Sequence, residues 1–424
     1  MPQGVRKGTF FSLLGFCAGG AFLFLFNVIA ARTLGPSGYG VLNVLYSMTT
    51  VIVPLIAGGI RLGVARFISA FEAKQERAQL RATMRNSLVL LGGFLLLFLI
   101  AAFILKDFVQ DRYLNHSLFL FLIFVFSVFV RSFVTLARGV LQGLREFKFN
   151  AITIGIEFAS MLLLLLVLVL LLGQGLGGAC SSILGASAIT LLVTLAICYR
   201  SRGRLVGDGQ EKSGPSLSEF LHFVAPVALA NFLSLFLFRV GPFLIKTFGQ
   251  SDVDQLVGLF AATFAIVSAV QLLVRALSGA LFPNLSRVEA MEDVTRQKRY
   301  VKNSMLFMTL VCTAMILILW LIGPQILRLL YGKAFILRRL DFVLIAAMGG
   351  FYFLAQLAST ILLAKGFPKE ALTSWAIGVS LLILFVWFTD IETLLRVEIG
   401  LCLANFTALL GMLIVLRAKM ASLA

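Results

Sequence analysis

Long apolar runs alternate with short polar segments along the whole chain. Each run is long enough for a helix to cross a hydrocarbon core of about 30 Å, and glycine and proline mark the ends of the runs. The pattern predicts about twelve membrane-spanning helices, at residues 8–31, 39–60, 87–106, 117–140, 149–172, 176–198, 218–246, 254–282, 303–323, 341–364, 369–389 and 396–416. The expected fold class is therefore an all-α integral membrane protein.

The longest polar stretch lies near the midpoint of the chain. Residues 200–218 are rich in glycine, serine and charged side chains, which is typical of a flexible linker. We expect an N-terminal six-helix bundle over residues 1–205 and a C-terminal six-helix bundle over residues 206–424. Because an even number of spans brings both halves into the membrane in the same sense, we expect a pseudo-two-fold axis along the membrane normal, with the substrate path between the halves.

A weak internal repeat also indicates two related halves. The segment RTLGPS at residues 32–37 returns as KTFGQS at residues 246–251. At nearly the same offset, RNSL at residues 85–88 returns as KNSM at residues 302–305. We interpret this repeat as an internal duplication.

The composition excludes a soluble protein. Hydrophobic residues make up 60% of the 424 residues and charged residues 13%, whereas soluble domains average about half and a quarter. The net charge of +17 does not indicate a nucleic-acid partner here, because Lys and Arg lie mainly in alternate short loops, where they set orientation. This bias predicts a multi-pass protein of the cytoplasmic (inner) membrane with both termini in the cytoplasm. One basic cluster on the other side runs against the rule, at Arg328, Lys333, Arg338 and Arg339.

The chain lacks the sequence motifs of ATP hydrolysis, zinc binding and a disulfide framework. The chain has no G-x-x-x-x-G-K-[ST] phosphate loop, so we do not expect it to hydrolyse ATP. Its two histidines and five cysteines do not have the spacing of a zinc site or a disulfide framework. We therefore expect no catalytic residue, no metal site and no cofactor. A membrane polymerase or ligase is an alternative, but the outer loops are short and contain no convincing acid–base pair.

Charged residues inside predicted spans are the candidate functional residues. Such groups cost at least about 2.5–3.5 kcal/mol each on insertion scales, so they normally face a cavity or a partner. The candidate substrate-binding cations are Arg61, Arg131, Arg239 and Arg275, and the candidate coupling or ion-pair carboxylate is Glu157.

These residues also have simpler interpretations. Arg61 and Arg138 could extend to the cytoplasmic head groups, as long basic side chains often do. Glu157 could form an internal ion pair with one of the arginines. The excess of cations nevertheless favours a wet, arginine-lined cavity for an anionic substrate, because guanidinium groups bind phosphate with two parallel hydrogen bonds.

Two segments carry a resemblance to a known family. ARTLGPSGYG at residues 31–40 resembles the A-R-x-L-G-P-x-x-Y-G stretch of the polysaccharide (Wzx-type) flippases, and FPNLSR at residues 282–287 is similar to their F-P-x-L-S-R stretch. These flippases belong to the MATE/oligosaccharidyl-lipid/polysaccharide exporter superfamily. The resemblance implies two six-helix bundles around a central cavity. It also implies alternating access that moves an oligosaccharide on a polyprenyl phosphate or pyrophosphate to the outer leaflet, for polysaccharide or glycoconjugate biosynthesis. Membrane lipids and other glycan-assembly proteins are the further partners expected.

The chain departs from the superfamily that it resembles at two acidic positions. Where many relatives carry Arg-x-Asp in the seventh helix, this chain has Arg239-Val240-Gly241. The first-helix aspartate that many MATE exporters use for cation coupling also has no counterpart. The alternative function is a MATE-like multidrug or cation exporter. That function requires acidic groups in the cavity, where the sequence offers mainly Glu157.

Overall fold

The described residues of the chain are helices joined by short turns. A computed structural model describes residues 3–73, 77–200, 217–271, 274, 294–365 and 367–421, and none of these residues lies in a β-strand. The helices are α1 (Gln3–Val53), α2 (Gly59–Ala73), α3 (Arg77–Ile104), α4 (Lys106–Tyr113), α5 (Leu118–Gly143), α6 (Phe147–Leu165), α7 (Gly175–Arg200), α8 (Leu217–Arg239), α9 (Gly241–Phe248), α10 (Val253–Ser268), α11 (Val294–Tyr331), α12 (Arg339–Ala364), α13 (Pro368–Phe388) and α14 (Thr393–Ala421), with π-helical turns at Pro54–Gly58 and Leu166–Leu171.

The predicted class of an all-α, multi-pass membrane protein is confirmed. Among the described residues, nine helices are long and apolar enough to cross a membrane, and the count is ten if α8 and α9 form one bent span. The predicted span at 254–282 is described as a helix only over Val253–Ser268, because most of its second half lies outside the described residues.

The chain forms two compact units whose limits do not follow the chain in simple order. The first unit comprises residues 1–26 and 44–232, and the second comprises residues 27–43 and 233–424. The second unit thus includes a short segment from the first helix. The boundary expected at residues 205 and 206 lies in the stretch 201–216, outside the described residues, and stays a prediction.

The first two predicted spans are joined in one long helix with a break. In α1, Gly35 has φ +68° and ψ 178°, a conformation that is essentially restricted to glycine. Pro36 follows directly, so the turn predicted between residues 31 and 39 is present as this break. The second span continues beyond its expected end at residue 60, because the π-helical turn at Pro54–Gly58 leads straight into α2. Proline removes a backbone donor at that turn, which explains the local change in helical geometry.

In the first unit, α5 packs against both α2 and α7. Two glycines four residues apart on α5 permit the close approach of α2, as small residues do between membrane helices. A Cβ atom at Gly139 would lie 2.9 Å from the carbonyl oxygen of Arg61, and one at Gly143 would lie 2.7 Å from the Cβ atom of Ile68. This packing places Arg61 beside Gly139, the residue that follows Arg138.

In the second unit, α14 packs against α12 and α13, and α12 also packs against α10 and α11. The segment 27–43 is joined to this unit at the end of α11. The Arg32 Nε atom donates to the carbonyl oxygen of Leu330 at 2.6 Å, and its Nη2 atom donates to that of Leu329. Carbonyl groups in the last turn of a helix have no partner inside the helix. Arg32 therefore caps α11.

Glycine is required where segment 27–43 meets α10. A Cβ atom at Gly40 would overlap the carbonyl oxygen of Asp254, and one at Gly258 would overlap that of Pro36. We expect Gly40→Ala and Gly258→Ala each to destabilise the protein by about 1–3 kcal/mol or more, because a rigid backbone atom has to move. The melting temperature of the detergent-purified protein measures the effect.

Gly92→Ala is the matched control for these two variants. A Cβ atom at Gly92, within α3, would meet nothing within 4 Å. Alanine is there expected to leave stability unchanged or to raise it by up to about 1 kcal/mol, from helix propensity alone. Equal melting temperatures for all three variants would contradict the close contact.

Candidate functional site

A buried cluster of two arginines and one glutamate lies in the first unit. Arg131 and Arg138 are seven residues apart on α5 and therefore lie on the same helical face. The Nη2 atom of Arg131 lies 2.8 Å from Oε1 of Glu157, and the Nη1 atom of Arg138 lies 2.8 Å from Oε2. The glutamate on α6 is only 4% exposed. Since one carboxylate serves two guanidinium groups, the three side chains together carry one net positive charge.

The two arginines of this cluster differ in how fully they are bonded. Arg138 also donates from Nε to Oγ1 of Thr153 at 3.2 Å and from Nη2 to its carbonyl oxygen at 2.9 Å. All three of its guanidinium nitrogens are thus bonded. Arg131 interacts with Tyr46, whose ring centre lies 5.6 Å from the guanidinium carbon. Its Nη1 atom is buried and has no well-formed hydrogen bond within the described part of the chain.

Arg61 belongs to the same unit but enters it from another helix. It lies two residues into α2, which begins after the π-helical turn, and its side chain is half-buried. Its Cγ atom would lie 3.0 Å from a Cβ atom at Gly139. The structure therefore brings Arg61, Arg131 and Glu157 of the predicted set into one helical unit.

Arg239 lies at a break in a membrane helix of the second unit. It is the last residue of α8, and α9 continues from Gly241 at an angle of 57°. A Cβ atom at Gly241 would lie 2.6 Å from the ring of Phe260, so glycine allows the break to pack tightly. Discontinuous membrane helices of this kind often surround transport substrates, because their free ends expose polar backbone groups.

The Arg239 guanidinium is surrounded by aromatic rings. Its carbon lies 5.1 Å from the ring centre of Phe238 and 5.5 Å from that of Phe264. Cation–π contacts of this type hold a guanidinium in place without neutralising its charge. Arg275, the remaining predicted cation, lies outside the described residues.

The basic cluster of Arg328, Lys333, Arg338 and Arg339 is partly neutralised by acids that the sequence pattern did not connect with it. Arg338 forms ion pairs with Asp341 at 3.0 Å and with Glu392 at 2.7 Å. Hydrogen bonds to these two carboxylates raise the pKa of Arg338 above its usual range. The cluster therefore adds less positive charge to its side of the membrane than the sequence count indicates. The spacing of Arg338 and Asp341 across the start of α12 was the available sequence signal.

No group of three or more His, Cys, Asp or Glu side chains is arranged to hold a metal ion in the part of the chain that the structure describes.

Comparisons with known proteins agree with a transporter fold. The chain matches the family model described as "Polysaccharide biosynthesis protein" over residues 5–289. It is 22% identical to a candidate O-antigen transporter of Shigella flexneri over 329 residues, which cover 76% of this chain and 75% of that protein.

Two solved structures share the fold at low sequence identity. One is the inward-facing conformation of a multidrug resistance MATE family transporter of the MOP superfamily, with a TM-score of 0.72, 16% identity and 95% of each chain covered. The other is a MOP superfamily transporter from Pyrococcus furiosus, for which a binding pocket of reversed polarity is described. It has a TM-score of 0.66 and 16% identity, and the match covers 100% of this chain and 99% of that one.

Proposed function

Because the chain belongs to the polysaccharide biosynthesis protein family and has the fold of a MATE-type membrane transporter, we propose that it is a flippase. It moves a lipid-linked oligosaccharide from the cytoplasmic to the outer leaflet by alternating access, for polysaccharide or glycoconjugate biosynthesis. Its partners are the polyprenyl phosphate or pyrophosphate that carries the glycan, the surrounding lipids and other glycan-assembly proteins.

One observation carries this proposal: the buried cluster of Arg131, Arg138 and Glu157 has one more positive than negative side chain. In the first unit, Glu157 balances only one of the two arginines that it contacts. A fixed charge at this depth is costly unless it has a function or a partner. A phosphate group supplies the missing negative charge, and it accepts the forked hydrogen bonds that guanidinium offers.

The two units contribute arginines of complementary kinds. The buried Nη1 atom of Arg131 can donate a hydrogen bond to a phosphate oxygen. Arg239 is held by two aromatic rings at a helix break. We propose Arg131 and Arg239, each within its own unit, as cations that attract the carrier-linked phosphate during transport, with Arg61 and Arg275 as supporting cations.

The alternative of a multidrug or cation exporter fits this site less well. A cationic drug needs an available carboxylate, and Glu157 is already engaged by two guanidinium groups at 2.8 Å. For the Pyrococcus furiosus transporter, a binding pocket of reversed polarity is described. The shared fold alone therefore does not favour a cationic substrate.

The deciding experiment measures surface glycan in cells that depend on this protein for its export. We expect Arg239→Ala to lower surface glycan about 10- to 100-fold, because a hydrogen bond to a charged group contributes about 1.5–3 kcal/mol. Arg239→Lys should keep part of the activity, because lysine preserves the positive charge but lacks the two parallel N–H donors of the guanidinium group. Membrane levels of each variant are measured by immunoblot.

Arg339→Ala is the control, because Arg339 is an exposed arginine outside the site. It should leave export unchanged. If Arg239→Ala supports full surface glycan at a normal protein level, the assigned role of Arg239 is wrong. If the deletion strain gains drug sensitivity that the protein reverses, with no change in glycan, the exporter alternative replaces the flippase.

We place the protein in the cytoplasmic membrane with both termini in the cytoplasm. The positive charges in alternate loops support this orientation. A single cysteine introduced near Lys419, with the five native cysteines replaced, should react with a membrane-impermeant maleimide only after the cells are opened. Labelling in intact cells would show that the C-terminus lies outside the cytoplasm and would contradict the proposed orientation.

A further inference from the structure

Glu398 is a fully buried carboxyl group in the second unit that the transport site does not use. It lies near the start of α14, where this helix packs against α12 and α13, and it is 0% exposed. Within the described part of the chain, no N–H or O–H group donates a hydrogen bond to either of its oxygens. An ionised carboxylate without donors is strongly disfavoured in such surroundings.

Asp341 is an acid that interacts with Glu398 and that also forms an ion pair with Arg338. Asp341 is 1% exposed and interacts directly with Glu398. It accepts hydrogen bonds from the backbone nitrogen, Nε and Nη2 of Arg338, at 3.0, 3.2 and 3.0 Å. Two carboxyl groups can bond to each other only if one carries a proton. Since the donors of Arg338 converge on Asp341, the proton belongs on Glu398.

We propose that Glu398 is a proton-binding site, which holds a proton while it is buried against Asp341 and exchanges it through the Arg338–Glu392 side of this pair. Glu392 is half-exposed and shares Arg338 with Asp341. A proton that leaves Glu398 therefore has a chain of polar groups from the interior to the solvent. Loss of that proton places two negative charges side by side, which drives water or a cation into the contact between α12 and α14.

The other charged groups around Glu398 are already committed. On its own helix, Arg396 is two residues away, a spacing that does not share a face, and it pairs with Asp390. On α9, Lys246 pairs with Asp254. On α12, Arg339 is exposed.

The remaining neighbouring helix supplies no charge close to Glu398. The charged residues of α13 are Lys369 and Glu370 at its beginning, whereas α14 meets α13 at Val386, near Gly400. That separation is about 24 Å at 1.5 Å per residue. Arg338 is a described cation that interacts with Glu398, and Asp341 and Glu392 already share it.

Further polar groups lie on the same face of α14 as Glu398. Cys402 lies one turn further on, and its Sγ atom is 3.1 Å from the carbonyl oxygen of Leu344. Asn405 follows at the i+7 position, 0% exposed, with an Oδ1 atom that no described group bonds. This row of buried polar groups provides hydrogen-bonding positions for water that enters when Glu398 ionises.

Infrared spectroscopy of the purified protein tests the proposal without any transport measurement. A protonated carboxyl group has a C=O stretching band that an ionised carboxylate lacks. At neutral pH the wild-type protein should show this band, Glu398→Gln should lack it and the exposed control Glu392→Gln should retain it. Absence of the band from the wild-type protein, or its persistence in Glu398→Gln, would overturn the proposal.

Two further measurements keep the test decisive if Glu398→Gln does not fold. Labelling glutamate side chains of the wild-type protein with ¹³C should shift the band, whereas labelling aspartate should not. In Asp341→Asn, which removes the negative neighbour, the band should disappear at lower pH than in the wild-type protein. A shift on aspartate labelling alone would refute proton binding by Glu398.

Discussion

Glu157→Ala is expected to destabilise the first unit by about 3–5 kcal/mol, which is the usual cost of removing one partner from a buried ion pair. The carboxylate contacts Arg131 and Arg138 at 2.8 Å each, and without it two guanidinium groups remain buried with no counter-charge. Glu157→Gln should lose most of the same stability, because it keeps the volume of the side chain and loses its charge. The melting temperature of the detergent-purified protein measures both.

Glu392→Ala is the matched control for this loss. It also removes a glutamate that pairs with an arginine, here Arg338 at 2.7 Å, but both side chains are about half exposed. Exposed pairs contribute about 0–1 kcal/mol, so its melting temperature should stay close to that of the wild-type protein. If Glu157→Ala and Glu392→Ala have the same melting temperature, the buried cluster does not stabilise the first unit as its geometry implies.

The ion pair of Glu157 shows how far charge in a membrane span can be interpreted from sequence. A carboxylate within an apolar run needs a counter-charge, so pairing with an arginine was one of the two interpretations of this residue. The structure adds that two arginines share it. That result depends on the rotation of α5 about its axis relative to α6, which is set by packing between distant residues and not by the local pattern.

Backbone breaks were easier to predict than side-chain partners. The break at Gly35 follows from a glycine and a proline that do not continue a regular helix, and both residues are visible in the sequence. The membership of segment 27–43 in the second unit was not predictable in the same way. It depends on the absence of side chains at Gly40 and Gly258, two positions 218 residues apart that meet only in the folded chain.

Glu398 was overlooked for a related reason. It lies near the end of the predicted span at 396–416, where a charged side chain usually extends to the membrane surface. Only the packing of α12 and α14 reveals that the side chain is enclosed and that Arg338 is occupied by Asp341. The carboxyl pair joins residues 57 positions apart in sequence, beyond the reach of any local pattern.

Arg131→Met is expected to lower export of surface glycan about 10- to 100-fold while leaving the melting temperature near that of the wild-type protein. A charge-assisted hydrogen bond to phosphate contributes about 1.5–3 kcal/mol, which gives this range. Glu157 keeps Arg138 as its counter-charge in the variant, so the buried acid is not left unpaired. Surface glycan is divided by the membrane level of the variant, measured on the same cells.

Arg138→Met is the comparison that separates substrate binding from structure. Both arginines lie on one face of α5 and share Glu157, but Arg138 also bonds twice to Thr153. Its removal should therefore lower the melting temperature more than that of Arg131, while the molecules that remain folded still transport. Normal export by Arg131→Met would refute its role in binding. Loss of export by Arg138→Met at an unchanged melting temperature would assign the phosphate to Arg138. In that case Arg138 would exchange its hydrogen bonds within the protein for hydrogen bonds to the substrate during transport.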